Sequence, residues 1–130
     1  MGGVNLVRTY QALSDPTRVR IVHFLAHRSL CVCHIQEILG ATQVKVSKHL
    51  AYLKDRGVVQ VEREANWRIY CLVSAPSRLL KANLEAIRGI ESEEPTLSRD
   101  LARLRKLQDQ FDEDGPICTP KPNRSSARAS

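Results

Sequence analysis

The segment from Leu30 to Gly57 constrains the fold most, because it predicts two short helices joined by a tight turn. Apolar residues at helical spacing give each half one hydrophobic face: Ile35, Ile38 and Leu39 in the first half, and Val46, Leu50 and Leu53 in the second. Gly40 can end the first helix in the left-handed region, and Thr42 can cap the start of the second. This pattern is typical of a helix-turn-helix, whose second helix enters the major groove of DNA.

The face of the second helix opposite its apolar stripe predicts contacts with DNA. It carries hydrogen-bond donors and cations: Gln43, Lys45, Ser47 and Lys48, with His49 at its edge. Recognition of a groove needs side chains of this kind. Lysines alone are more often the ordinary solvated face of an amphipathic helix, so the prediction depends on the segments that follow.

A β-hairpin is predicted directly after the second helix. Two alternating runs with β-branched and aromatic residues, Val58 to Arg63 and Trp67 to Val73, are separated by a short polar break. A hairpin in this position is a wing. Three polar residues near its tip could reach phosphates or the minor groove: Arg63, Asn66 and Arg68. The predicted fold is therefore mainly α with a β-hairpin wing, a winged helix-turn-helix.

Further helices flank this unit on both sides. Asp15 and Pro16 are typical of a helix start, Pro76 is predicted to open another helix, and Thr96 to cap the last one. The first and last helices carry apolar stripes: Leu6, Tyr10 and Leu13 in one, and Leu97, Leu101, Leu104 and Phe111 in the other. A chain this small has little core to cover both stripes. We therefore expect them to pair across the two-fold axis of a homodimer.

Four segments resemble the ArsR/SmtB winged-helix metalloregulators in order and spacing: Ser14 to Val22, Leu30 to Gly40, Gln43 to Val59 and Arg63 to Leu72. The resemblance spans about Leu6 to Leu84. It implies a homodimeric repressor that leaves its operator when a soft metal or metalloid binds. The Cys-Val-Cys pair looks like that of the arsenic- and antimony-sensing members. A two-fold dimer is expected to bind an inverted repeat in double-stranded DNA.

The thiol pair lies where the third predicted helix begins. Cys31 and Cys33 flank Val32, and free N–H groups together with a positively charged chain favour thiolates there. The resemblance implies As(III) or Sb(III) as the inducer, with three sulfur ligands and no organic cofactor. Gln36 stands where some arsenic sensors place their third cysteine. The predicted ligand set is therefore Cys31, Cys33 and Cys118, the last on a flexible tail.

Other interpretations of these residues remain open. Cys31 and Cys33 could be small buried hydrophobes, and Cys118 an idle thiol. With His34 they could form a tetrahedral zinc or cadmium site, which ranks second because Cys33 and His34 should point apart on a helix. Cys71 is expected to be an inert cysteine on a strand.

Two histidines on the second helix, His23 and His27, have a spacing of four residues that can ligate a metal. With no acidic or cysteine partner nearby in sequence, ordinary surface or core histidines are the prediction. The family's other well-known site uses Asp, His and Glu from C-terminal helices. Here the segment from Pro76 to Phe111 contains no histidine, which argues against a zinc site there.

Composition narrows the class of protein. The chain has 130 residues, a net charge of +6 and a pI near 9.5, which favours a polyanionic partner. We expect one domain over residues 1–112 and a flexible C-terminal tail over 113–130. Neither a membrane span nor a secretion signal is apparent, so the prediction is a cytoplasmic protein with its four cysteines reduced.

Three functional classes follow from the sequence. The favoured class is a repressor released by arsenite or antimonite. The second is a thiol redox or persulfide switch, or a cadmium or zinc sensor, on the same fold. The third is a basic nucleic-acid-binding module that does not sense. No phosphate-cradling glycine loop or nucleophile with its base is present, so an enzyme is not expected.

Overall fold

A computed structural model describes the backbone of residues 2–64 and 67–114, and the side chains of residues 6–63 and 68–109. Helices and strands follow in the order α1 Gly2–Ala12, α2 Pro16–His27, β1 Leu30–Cys31, α3 Val32–Leu39, α4 Gln43–Asp55, β2 Val59–Glu64, β3 Trp67–Leu72, α5 Arg78–Gly89 and α6 Pro95–Asp114. The strands form one antiparallel sheet in the order β1-β3-β2. The winged helix-turn-helix prediction is confirmed.

The helix-turn-helix forms as its sequence pattern predicts. Gly40 ends α3 with a φ of 67°, and its N–H donates to the Gln36 carbonyl at 2.7 Å. The Thr42 hydroxyl caps α4 by accepting from the Lys45 N–H at 3.2 Å. The predicted apolar stripe of α4 is fully buried: Val46, Leu50 and Leu53. Local signals therefore set the turn, and burial of this stripe holds α4 in place.

The short strand β1 is an element that periodicity did not predict. Leu30 lies opposite Tyr70 and Cys31 opposite Ile69, so β1 adds a third strand beside the wing hairpin of β2 and β3. Two residues are too few to show a period of two, and their pairing depends on a partner nearly 40 residues away. Because α3 begins at Val32, Cys31 belongs to the strand and caps the helix.

The last helix packs differently from the prediction that a partner subunit covers its apolar stripe. α6 begins at Pro95, so Thr96 lies inside the helix and is not its cap. α5 begins at Arg78, with Ser77 as its cap, and not at Pro76. The leucine stripe of α6 is buried within the chain itself: Leu97, Leu101, Leu104 and Leu107. It therefore needs no partner subunit, contrary to expectation. Phe111 lies outside the described side chains.

The first helix, in contrast, leaves a hydrophobic face uncovered. Leu6, Val7 and Tyr10 are 45%, 53% and 51% exposed. Exposed large apolar groups in a row on one helix are typical of a surface that another molecule covers.

A buried ion pair joins α2 to α6. Arg20 donates from Nε and from its terminal nitrogen to the two oxygens of Asp100, both at 2.9 Å, and Asp100 is fully buried. This pair holds α6 against α2, because the buried carboxylate of Asp100 needs hydrogen-bond donors and the guanidinium of Arg20 supplies two. No helix in the described part of the chain is long and apolar enough to cross a membrane.

Candidate thiol site and nucleic-acid interface

Cys31, Cys33 and His34, the thiol cluster, converge at the start of α3. The Sγ atoms of Cys31 and Cys33 lie 3.2 Å apart, and Cys31 Sγ lies 3.2 Å from His34 Nδ1. Cys31 is the N-cap and His34 the third helical residue, a pair of positions whose side chains face each other across the first turn. Cys33 and His34 were expected to point apart on the helix, but their ligand atoms lie within 4.8 Å of each other and of the Cys31 sulfur, which the extended backbone of Cys31 turns back over the helix.

The pKa values of the two cysteines are shifted in opposite directions. A hydrogen bond from Cys31 lowers the pKa of Cys33 from 9.0 to about 7 against the effect of burial, with help from the backbone N–H groups of His34 and Cys33. The hydrogen bond to Cys33, together with burial, raises the pKa of Cys31. At neutral pH about half of the exposed Cys33 is therefore thiolate, beside a buried Cys31 thiol, whereas the sequence favoured two thiolates.

Cys71 is the other cysteine that the structure describes, and it does not belong to this cluster. Cys71 is half-buried on β3, and its thiol points to the carbonyl oxygen of Gln60 on the neighbouring strand at 3.9 Å. Cys118, the predicted third ligand, lies outside the described residues. Within the described residues, the third donor beside the two sulfurs is the ring of His34.

The start of α3, where the thiol cluster lies, is linked to the wing, and the end of this helix is linked to α6. Cys31 pairs with Ile69 of β3, which places the buried sulfur one strand away from the exposed Arg68 of the wing. The other end of α3 is held by Arg103 of α6, which donates to the Ile38 carbonyl at 3.0 Å. A displacement of the first turn of α3 would therefore pull on the wing while α6 holds the far end.

The predicted DNA-reading residues lie on an open surface. Gln43, Lys45, Ser47 and Lys48 are exposed, and His49 is half-buried. Arg63 and Arg68 are exposed and lie opposite each other across the hairpin, while Asn66 is outside the described residues. The sequence analysis missed Val44, which is 66% exposed in the first turn of α4. An exposed valine there can contact a thymine methyl group, and its position opposite Val46 on the helix was the available signal.

A second group of donors, His23, His27 and Glu91, forms the imidazole cluster. Nε2 of His23 and Nε2 of His27 lie 2.8 Å and 2.9 Å from the same oxygen of Glu91. Partial burial opposes ionisation of Glu91, but hydrogen bonds from His27 and His23 lower its pKa. The sequence shows no acidic partner close to the two histidines, because Glu91 comes from the connection between α5 and α6, 68 and 64 positions further along the chain.

Comparisons with known proteins agree with this geometry. Residues 15–61 match a family described as bacterial regulatory protein, arsR family. The arsenic resistance transcriptional regulator ArsR1 of Pseudomonas putida is 30% identical over 99 residues, covering 75% of this chain and 76% of that protein. A cadmium resistance regulatory protein CadC homolog of Staphylococcus aureus is 33% identical over 70 residues, covering 53% and 58%.

The fold also matches a solved structure. A homodimeric winged helix-turn-helix DNA-binding domain of Mycobacterium bovis superposes with a TM-score of 0.58 at 22% identity. The superposition covers 69% of this chain and 81% of that one.

Proposed function

The chain belongs to the arsR family of bacterial regulatory proteins, which are DNA-binding transcriptional regulators and not enzymes, and we propose that it is a repressor released by As(III) or Sb(III). In this proposal Cys31 and Cys33 hold the inducer, and Cys118 supplies a third sulfur. Operator binding uses α4 and the wing: Gln43, Lys45, Ser47, Lys48, His49, Arg63, Asn66 and Arg68.

The observation that carries the proposal is the 3.2 Å separation of two sulfurs with unequal protonation. Thiolates bind soft ions preferentially. Because a bound soft ion supplies positive charge, both adjacent sulfurs can then be deprotonated. Cys33 is already thiolate near neutral pH, so it provides the first ligand. Cys31 must then release its proton to solvent, which removes the hydrogen bond that joins the pair.

The position of Cys31 explains how ligand binding can reach DNA. Loss of its proton and movement of its sulfur act on β1, which is paired with β3 of the wing. The same residue occupies the N-cap position of α3, so movement of Cys31 would also act on the first turn of that helix and on its angle to α4. Coupling of this kind is reciprocal, so operator DNA should weaken inducer binding by the same factor, typically about 1–3 kcal/mol.

A homodimer fits both the protein surface and the DNA site. The exposed face of α1 offers Leu6, Val7 and Tyr10 for a two-fold contact, and the solved Mycobacterium bovis relative in fold is homodimeric. Two copies of α4 would then read two half-sites of an inverted repeat about one helical turn apart. Binding should weaken steeply with added salt, because lysine and arginine contacts to phosphate release counterions.

A second candidate function, sensing of Cd(II) or Zn(II), is favoured by one observation. His34 Nδ1 lies 3.2 Å from Cys31 Sγ, so two sulfurs and one imidazole nitrogen are available in a single turn. Zinc and cadmium accept mixed sulfur and nitrogen ligands, whereas the resemblance to arsenic sensors implies three sulfurs. One relative of this chain is named for cadmium resistance, which supports this alternative.

One experiment separates these functions. X-ray absorption of the arsenic-bound protein should count three sulfurs in the wild type and two in Cys118→Ser, while a DNA-release assay under constant reducing conditions follows the response to As(III), Sb(III), Cd(II) and Zn(II). Three sulfurs in both proteins would exclude Cys118. Release by Cd(II) or Zn(II) alone, with loss in His34→Ala, would favour the second candidate. Release that requires an oxidant would indicate a redox switch.

A further inference from the structure

The imidazole cluster contains metal-binding groups that the proposed thiol function does not use. His23 and His27 lie one helical turn apart on the same face of α2, with their ring centroids 5.3 Å apart. Their Nε2 atoms and the Glu91 oxygen all lie within 4.8 Å of one another. Three side chains from two separate parts of the fold therefore aim their donor atoms at one point.

Two imidazole nitrogens and one carboxylate oxygen are a ligand set that zinc uses when its fourth position is left for water. We propose that His23, His27 and Glu91 bind one divalent cation of borderline softness, for which Zn²⁺ is the best match. His23 is fully buried, whereas the side chains of His27 and Glu91 are 16% and 21% exposed. The cation therefore enters from the side of His27 and Glu91, and water reaches the fourth position from there.

The distances fit such a site after a small adjustment. Zinc bonds of about 2.0–2.1 Å in a tetrahedron place neighbouring ligand atoms about 3.3 Å apart. The Nε2 to oxygen distances of 2.8 Å and 2.9 Å are shorter, so the Glu91 carboxylate has to retreat by about half an ångström. Glu91 is partly exposed at its carboxylate, so rotation of its side chain can supply this movement.

The ring of His23 can also change its tautomer to suit a metal ion. Nδ1 of His23 has no hydrogen-bond partner among the described residues. The proton on Nε2 can therefore move to Nδ1 without breaking another hydrogen bond, which leaves the Nε2 lone pair for the metal. The competing explanation is a purely hydrogen-bonded clamp, in which Glu91 accepts hydrogen bonds from the Nε2–H groups of both imidazoles and no cation binds.

A bound cation would connect two parts of the core. The backbone oxygen of Glu91 accepts a hydrogen bond from the hydroxyl of Ser98 at 2.7 Å, so Glu91 is fixed to the first turns of α6. Ligation would join this point to the C-terminal half of α2. Zinc should therefore raise the thermal midpoint of the protein, because a ligand that binds only the folded state stabilises it.

The test uses the full chain carrying Cys31→Ser and Cys33→Ser, which removes the thiol ligands. Co²⁺ absorption reports the number and geometry of ligands, and competition with Zn²⁺ gives the affinity. We expect one equivalent of tetrahedral Co²⁺, displaced by Zn²⁺. Adding Glu91→Gln should weaken Zn²⁺ binding by at least about tenfold and abolish the rise in thermal midpoint. Adding Glu93→Gln, an exposed residue of the same connection, should change neither.

Equal affinities in the Glu91→Gln and Glu93→Gln proteins, or no Co²⁺ binding in the starting protein, would overturn the proposal in favour of the hydrogen-bonded clamp. Should Glu91→Gln fail to fold, His27→Gln provides the same comparison at a partly exposed ligand. The outcome is independent of the proposed function. Release of DNA by arsenite should be unchanged by Glu91→Gln in the protein that keeps Cys31 and Cys33.

Discussion

The thiol cluster and the imidazole cluster differ in how their members are brought together. Cys31, Cys33 and His34 lie within four residues and meet because one helical turn forms. Glu91 is separated from His23 by 68 positions and reaches it only when α2 packs beside the connection between α5 and α6. The first cluster therefore forms within one short segment, in which only the extended backbone of Cys31 is held by a distant strand, whereas the second needs distant segments to pack together.

Their neighbours differ as well. The thiol cluster continues into β1, whose partner strand belongs to the wing. The imidazole cluster joins α2 to α6, two helices whose contact is otherwise made by the buried Arg20–Asp100 pair and by apolar side chains. The neighbouring elements therefore decide what a bound ligand is expected to change. A ligand at the thiol cluster should change the affinity for DNA, whereas a ligand at the imidazole cluster should change mainly the stability of the core.

The strongest test of this comparison removes one sulfur. Cys33→Ser should abolish release of the operator by As(III), because a hydroxyl replaces the thiolate that binds first, while operator affinity stays at the wild-type level. Fluorescence anisotropy of labelled operator DNA, with and without As(III), measures both. Cys71→Ser is the matched control and should respond normally. Release that persists in Cys33→Ser would show that the thiol cluster does not carry the response.

The second test concerns the core that holds the imidazole cluster. Asp100→Asn should lower the free energy of unfolding by about 1–3 kcal/mol, because the partly exposed Arg20 loses charge-assisted hydrogen bonds to its buried partner. Arg99→Ala, at an exposed position of the same helix, should change it by less than about 0.5 kcal/mol. Urea unfolding followed by circular dichroism compares the two. Similar losses in both variants would mean that the ion pair does not stabilise the α2–α6 contact.

The third test addresses the proton shared inside the thiol cluster. Cys31→Ala should raise the pKa of Cys33 from about 7 back toward 9.0, because the hydrogen bond that favours the thiolate is lost. The lowered pKa means that the wild-type thiolate is present above about pH 7 and is lost below it. Alkylation of Cys33 at pH 7.5, measured by peptide mass spectrometry, should therefore slow roughly threefold in the variant, because the loss of thiolate outweighs its higher intrinsic nucleophilicity. An unchanged rate would place the cause elsewhere.

The last test concerns α4, which belongs to neither cluster and which we propose provides the DNA readout. If Gln43 reads a base edge, Gln43→Ala should cost about 1–3 kcal/mol at one operator position. Lys48→Ala should weaken binding to all sequences alike and reduce the salt dependence. Titrations against operators with single base changes distinguish the two patterns. Uniform losses for both variants would remove Gln43 from base recognition.

Much of the fold was predictable because its signals are local. The stripe of Val46, Leu50 and Leu53, the left-handed Gly40 and the Thr42 cap each act within one or two turns. Their types and spacing therefore fix the helix-turn-helix before any tertiary contact is considered. The hairpin alternation is likewise a local pattern. The resemblance to a known family then extended these local features to a function.

The sequence by itself determined the helix-turn-helix and the wing, because their apolar periodicity and their caps act between neighbouring residues on a regular backbone. The tertiary structure alone decided the pairing of β1 with β3, the burial of the α6 leucines within the chain and the meeting of Glu91 with His23. Each of these depends on which distant segments pack together. That choice is made by the burial of the whole apolar surface, a property that no short stretch of sequence contains.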